Sequence, residues 1–125
     1  IGSLLVLMTL PGLYSMDEWP NEHALEIGHL PVYTDNPFVL AKVTQRYNDA
    51  LRKLAARNKL ALIDLEDWAN RTLKPRDAYF VDSVHLTDEG QQMIGNYVAS
   101  KLLEWFPNLL SVEGMKERRE RTYVR

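Results

Sequence analysis

A chain of 125 residues, 46% hydrophobic and 26% charged, has the balance of a globular domain rather than of a disordered or fibrous one. Its formal net charge of -2 offers no general basic face for approaching phosphates, so an electrostatic case for nucleic acid is excluded. Cysteine is absent, which excludes disulfides, thiolate chemistry and zinc-cysteine sites; it fits a reducing compartment, occurs in exported proteins too, and leaves location open.

In chain order, the run Leu4-Leu5-Val6-Leu7-Met8 comes first. It is too short for a membrane span, which needs about 20 apolar residues, and it lacks the basic lead of a signal peptide. Residues 4–10 read as a buried parallel strand that ends at the Pro11-Gly12 turn. The chain enters that strand from Ile1 with nothing in front of it, so the expectation is a portion of a larger protein. An edge strand of an independent small domain is the alternative.

Residues 11–36 hold three prolines, two glycines and several aromatics, with no lasting period. That exceeds the usual connection of about 4–6 residues, so it reads as a functional or partner-covering insertion. A short helix is expected around Asn21–Glu26. A long helix follows, with Asp35 or Asn36 as cap, Pro37 in its first turn, and Leu40, Val43, Tyr47, Leu51 and Leu54 at three- and four-residue steps. Arg46, Asp49, Arg52 and Lys53 fall on the other face.

Asn58 and Lys59 turn the chain into a second buried strand, Leu60–Leu65. Asp64 sits near its carboxyl end, where α/β proteins build their sites; it can orient a loop there or cap the next helix. That helix spans about Glu66–Leu73 and is broken by Lys74-Pro75-Arg76-Asp77. Tyr79-Phe80-Val81 is a brief extended piece. Thr87 reads as an N-cap with Asp88 and Glu89 in the first turn, and Met93, Ile94, Tyr97, Val98, Leu102 and Phe106 form the apolar stripe of a helix ending near Pro107. From Ser111 the chain interleaves basic and acidic residues and reads as a solvated tail.

Strands alternating with helices give an α/β layer structure with a parallel sheet. Two strands cannot make a well-covered parallel sheet, and their sides would remain open edges. Further strands are therefore expected from an upstream segment or a second chain.

The segment Asp82-Ser83-Val84-His85 carries the chemistry. A hydrolytic serine needs a base near neutral pH, and imidazole is suited to it. A carboxylate three residues earlier can hold one ring N–H, fixing the tautomer and stabilising the imidazolium. The spacing alone arises easily, and by itself it favours a loop histidine with Asp82 as a turn cap over catalysis.

Glu22, His23, Glu26 and His29 have helical spacing for a metal, but Gly28 and the flanking prolines argue against a helix that reaches His29, and no metal is expected. No phosphate-cradling loop or dinucleotide fingerprint is present, and no cofactor is expected. Trp19, His23 and Tyr33 are candidate substrate-lining residues, with exposed or domain-contact roles as the default.

Asp82-Ser83-Val84-His85-Leu86-Thr87-Asp88-Glu89-Gly90, followed by a helix with apolar steps, resembles the last block of the SGNH/GDSL hydrolase family, Asp-x-x-His-x-(Thr/Ser/Asn)-x-x-Gly. The resemblance implies that His85 is the base, that Asp82 orients it, and that Thr87 and Gly90 are structural. It also implies that residues 1–110 are the C-terminal part of a three-layer α/β/α, flavodoxin-like fold with a parallel sheet, followed by the tail 111–125.

The departures are large. No Gly-Asp-Ser nucleophile block and no Gly-x-Asn oxyanion block occurs, and none of Ser3, Ser15, Ser83, Ser100 and Ser111 is assigned as nucleophile. The expectation is hydrolysis of a lipid, small or O-acetylated carbohydrate ester by a triad whose serine lies outside this chain, with the segment inert alone. A non-catalytic binding or structural module of the same fold is the alternative, and a hydrolase split between two chains is a third. The expected partners are the ester substrate and the N-terminal portion or second chain that completes the sheet.

Overall fold

The computed structural model describes residues 4–108, so the charged tail from Ser111 lies outside the described residues. Strand β1, Val6–Met8, and strand β2, Ala61–Ile63, run parallel, with Val6 opposite Ala61, Leu7 opposite Leu62 and Met8 opposite Ile63. Both strands are shorter than the apolar runs that contain them. Backbone pairing lasts only where the two overlap, and Leu4 and Leu5 are left exposed ahead of it. The result is an α/β fold with a two-stranded parallel sheet, whose outer edges are open among the described residues.

Parallel strands require a crossover, and two helices supply it. Helix α1, Glu22–Ile27, is capped by Asn21, whose Oδ1 accepts from Ala24 N at 2.8 Å. It begins one residue later than the sequence suggests because Asn21 is the cap. Helix α2, Phe38–Asn58, follows Pro37, while Asn36 Oδ1 accepts from Phe38 N at 2.9 Å. Lys59 ends it in the left-handed region at φ 53.

The apolar steps of α2 misidentify its buried face. Val43, Tyr47 and Leu54 are exposed, and the buried residues are Ala41, Asn48 and Ala55. Small side chains let α2 approach both strands closely. Asn48 is fully buried because Leu10, just past β1, needs backbone partners: its N–H donates to Asn48 Oδ1 and its carbonyl accepts from Nδ2, both at 2.8 Å.

Arg52 likewise leaves the solvent face on which its spacing placed it. It donates to Asp64 through Nε at 2.7 Å and Nη2 at 2.9 Å, to Glu66 at 2.7 Å and to Asp49 at 2.8 Å. Asp64 caps helix α3, Leu65–Thr72, by accepting from Asp67 N, and it also accepts from the buried Thr9 hydroxyl at 2.8 Å. Thr9 in turn accepts from Glu66 N, tying β1 to the start of α3.

The hydrogen bonds from Arg52, and then those from Asp67 N and Thr9, outweigh burial and hold the Asp64 carboxyl at about 2, against an ordinary 3.8. A folded-state pKa below the unfolded one stabilises the fold fully above about pH 4, and the gain is lost as pH falls toward about 2. Asp64→Asn is expected to flatten the dependence of the urea midpoint on pH across that window.

Past α3, Leu73 is fully buried and a cis Lys74–Pro75 peptide leads into a 3-10 turn at Arg76–Ala78. Helix α4, Asp88–Trp105, starts at Thr87, whose Oγ1 accepts from Gly90 N. The chain divides into two units between Gln92 and Met93. The first unit holds both strands, α1 to α3 and the core residues Leu13, Ile63, Leu65, Ala69, Leu73 and Phe80. In the second, the expected stripe from Met93 to Phe106 is half-buried. Among the described residues no helix is long and apolar enough to cross a membrane.

Candidate active site

Phe80 anchors the segment that carries Asp82 and His85. It is buried and forms an isolated antiparallel bridge with Leu86. Val81 N donates to His85 O and Thr87 N to Tyr79 O, both at 2.9 Å, so residues 81–85 are a loop closed at its base.

Within that loop Asp82 folds back on the chain that follows it. Its Oδ1 accepts from Val84 N at 2.8 Å and from His85 N at 2.7 Å, and its Oδ2 lies 2.7 Å from His85 Nδ1. The His85 N–H, then the Val84 N–H, then the imidazole hold the Asp82 carboxyl down at about 2. An ionised carboxylate can only accept, so in the neutral ring the proton sits on Nδ1 and the lone pair on Nε2. The imidazole side chain is 75% exposed, which leaves Nε2 within reach of an incoming hydroxyl. The arrangement can take a proton at Nε2 and stabilise the imidazolium that results.

Ser83 fixes where the loop sits. Its carbonyl accepts from Leu13 N at 3.1 Å, and its hydroxyl donates to Gly28 O at 2.7 Å. That hydroxyl is committed to the loop's placement. The Ser15 hydroxyl donates to Asn70 and the Ser100 hydroxyl to Tyr97 O.

Gly90 is required by close approach. A Cβ there would lie 2.6 Å from Tyr79 O, the same carbonyl that accepts from Thr87 N. Alanine would ordinarily gain about 1 kcal/mol of helix propensity over glycine. Here the overlap is with backbone, so Gly90→Ala is expected to destabilise by about 1–3 kcal/mol, read from the urea midpoint.

Near Phe80, which precedes the loop, lies Arg76, which the sequence marks only as part of a helix break. It is buried, donates to Gly12 O at 2.7 Å and to Asn70 Oδ1, and its guanidinium stands 6.0 Å from the Phe80 ring centroid. Burial lowers its pKa, opposed by the charges of Glu18, Glu66 and Asp17. No local signal marks such a residue, because its partners come from Gly12 and Asn70.

The structure brings Asp82 and His85 together. Trp19 lines a cavity of about 190 Å³ with Leu13, Glu18, Asn21, Arg76 and Asp77 among its neighbours. His23 and Tyr33 do not line it. His23 is exposed on α1 with Nδ1 3.9 Å from Glu26, and Tyr33 is exposed in the loop that follows. Helix α1 ends at Ile27 and His29 has φ 44, so the four-residue metal spacing is not carried on one helix. Among the described residues no group of three acidic or histidine side chains is arranged to hold a metal ion.

A family model described as the GDSL-like Lipase/Acylhydrolase family matches residues 17–93, a span that contains α1 to α3 and the whole Asp82–Gly90 block. No curated protein and no solved structure matches the chain.

Proposed function

Since this chain belongs to the GDSL-like lipase/acylhydrolase family, we propose that the complete protein hydrolyses carboxylic esters with His85 as general base and Asp82 as the carboxylate that orients it. The observation that carries the reading is the 2.7 Å contact between Asp82 Oδ2 and His85 Nδ1, in a loop whose backbone holds the other carboxylate oxygen. The nucleophile is a serine outside these 125 residues. Its Oγ adds to the ester carbonyl carbon as its proton passes to His85 Nε2. The tetrahedral adduct collapses, the C–O bond to the alcohol breaks, and the alkoxide takes that proton from His85. Water then adds to the acyl-enzyme by the same proton route, releasing acid and serine. Lipid, small and O-acetylated carbohydrate esters all undergo this chemistry.

In this reading residues 1–110 are the C-terminal part of a three-layer α/β/α, flavodoxin-like domain, and 111–125 are a tail. The sheet continues through strands from the N-terminal portion or a second chain. Open edges on β1 and β2 support this, as do the exposed Leu4, Leu5, Met8 and Leu10.

A fluorophosphonate probe tests the assignment in the complete protein. It should label one serine beyond residues 1–125 and abolish turnover of a p-nitrophenyl ester. A label on Ser3, Ser15, Ser83, Ser100 or Ser111 would overturn the reading, and so would turnover that survives full labelling. Absence of both label and turnover would favour the non-catalytic module.

A further inference from the structure

We propose that Tyr14 is a positioning residue for the reaction: it holds the end of α1 so that the Gly28 carbonyl meets the Ser83 hydroxyl and fixes the place of the Asp82–His85 loop. This rests on the ester-hydrolase reading above, in which His85 is the base. Tyr14 is buried, and its hydroxyl donates to Ala24 O at 3.2 Å. The same carbonyl accepts from Gly28 N at 3.0 Å, where α1 ends. Burial pushes the Tyr14 phenol above its ordinary value, so it remains a donor at any neutral working pH.

The contact with Gly28 is closer still. A Cβ on Gly28 would lie 1.8 Å from the Tyr14 hydroxyl oxygen, 2.4 Å from the ring carbon that bears it, and 2.7 Å from Ala24 O. Gly28 has φ -78, a value that any residue adopts, so its backbone does not ask for glycine. The phenol and the carbonyl it bonds do.

That contact secures one carbonyl. The last carbonyls of a helix have no partner within it and must find one outside. Helix α1 ends at Ile27, and His29 turns the chain away at φ 44. The Gly28 carbonyl finds its partner in the Ser83 hydroxyl, which donates to it at 2.7 Å. Ser83 is held from a second direction by Leu13, whose N–H donates to Ser83 O at 3.1 Å. Leu13 is the chain neighbour of Tyr14, so the links close into a circuit: Tyr14 to Gly28, Gly28 to Ser83, Ser83 to Leu13, and back. Ser83 lies between Asp82 and His85, and wherever the circuit sets it the base is set too. The long segment 11–36 thereby gains a part in the reaction that needs no contact with the substrate.

The test is a cycle of substitutions in the complete protein, with two readouts. One is turnover of p-nitrophenyl acetate, and the other is the carbonyl carbon resonance of Gly28, read through the His29 N–H. A misplacement of about 1 Å can cost about a hundredfold in rate, so a loop slackened by a fraction of that should lose about tenfold. Ser83→Ala should therefore lower kcat about tenfold with KM within about twofold, and it should move the Gly28 resonance upfield as the hydrogen bond is lost. Tyr14→Ala should reproduce both changes. Tyr14→Phe keeps the ring against Gly28 and should hold kcat within about threefold of the parent. Ser83→Ala combined with Tyr14→Ala should lose about tenfold and not a hundredfold, because both substitutions break one link. Tyr14→Leu fills the core without reaching Gly28, and it carries the same expectations should Tyr14→Ala fail to fold. A hundredfold, additive loss in the double variant would mark Tyr14 as structural only and overturn the proposal. An unmoved Gly28 resonance in Tyr14→Ala or Tyr14→Leu would overturn it as well, leaving ester hydrolysis intact. Matching Gly28 shifts in a protein that turns over no ester would keep the circuit and remove the ester reading.

Discussion

Replacing His85 by alanine in the complete protein is expected to lower kcat for ester hydrolysis by about 10⁴-fold, with the fold unchanged by circular dichroism. The imidazole is mostly exposed, and the loop is closed by backbone bonds between Val81 and His85, so its removal costs little stability. Asp82→Asn is expected to fall nearly as far, for a reason specific to this loop. Two backbone N–H groups point at Oδ1, which only an acceptor can satisfy. The amide oxygen of the substituted side chain must therefore take that position and turn its NH₂ toward Nδ1. The ring would be forced into the tautomer with its proton on Nε2, where it cannot accept one from serine. A fall of less than tenfold in His85→Ala would remove His85 as the base, and the same outcome in Asp82→Asn would remove Asp82 as its orienting carboxylate.

Arg76→Ala is expected to destabilise the protein by about 3 kcal/mol, seen as a lower urea midpoint at unchanged slope. Truncation empties a buried volume, leaves Gly12 O without its donor and leaves the Asn70 amide oxygen with the Ser15 hydroxyl alone. Arg76→Lys should recover only part of this, because an ammonium group cannot match the two-pronged reach of the guanidinium. The change should also reach the site. Gly12 precedes Leu13, whose N–H fixes Ser83 O, so kcat should fall along with stability. A midpoint within about 0.5 kcal/mol of the parent would show that the Arg76 bonds are dispensable.

Much of the local structure is written in short-range chemistry, and that part was legible. Asn21 and Thr87 cap helices because each offers an oxygen to nearby N–H groups, and such a signal needs no knowledge of the rest of the chain. The long helix differs, with Pro37 at its N-cap position in place of Asp35 or Asn36. Asp64 as a cap belongs to the same class. What hydropathy could not supply was the direction in which α2 faces. Val43, Tyr47 and Leu54 point outward, while Asn48 is buried to satisfy Leu10. A polar residue in the core is chosen by a partner 38 positions away, and periodicity carries no record of it. The same holds for Arg52 with Asp64 and Glu66, and for Arg76 with Gly12. In the site, the Asp82–His85 spacing was legible because both residues lie in one loop. Ser83 as the loop's anchor was not, since Leu13 and Gly28 come from far upstream.

The division of labour within residues 82–85 separates two quantities that a triad needs. The bearing of the imidazole is set inside the loop by Asp82. The loop's location is set outside it, at Leu13 and Gly28. Damage at the anchors should therefore carry the pair away as one rigid unit, with the short Asp82–His85 hydrogen bond still visible in a downfield proton spectrum of an inactive protein. Damage at Asp82 should do the reverse, leaving the loop in place and erasing that signal.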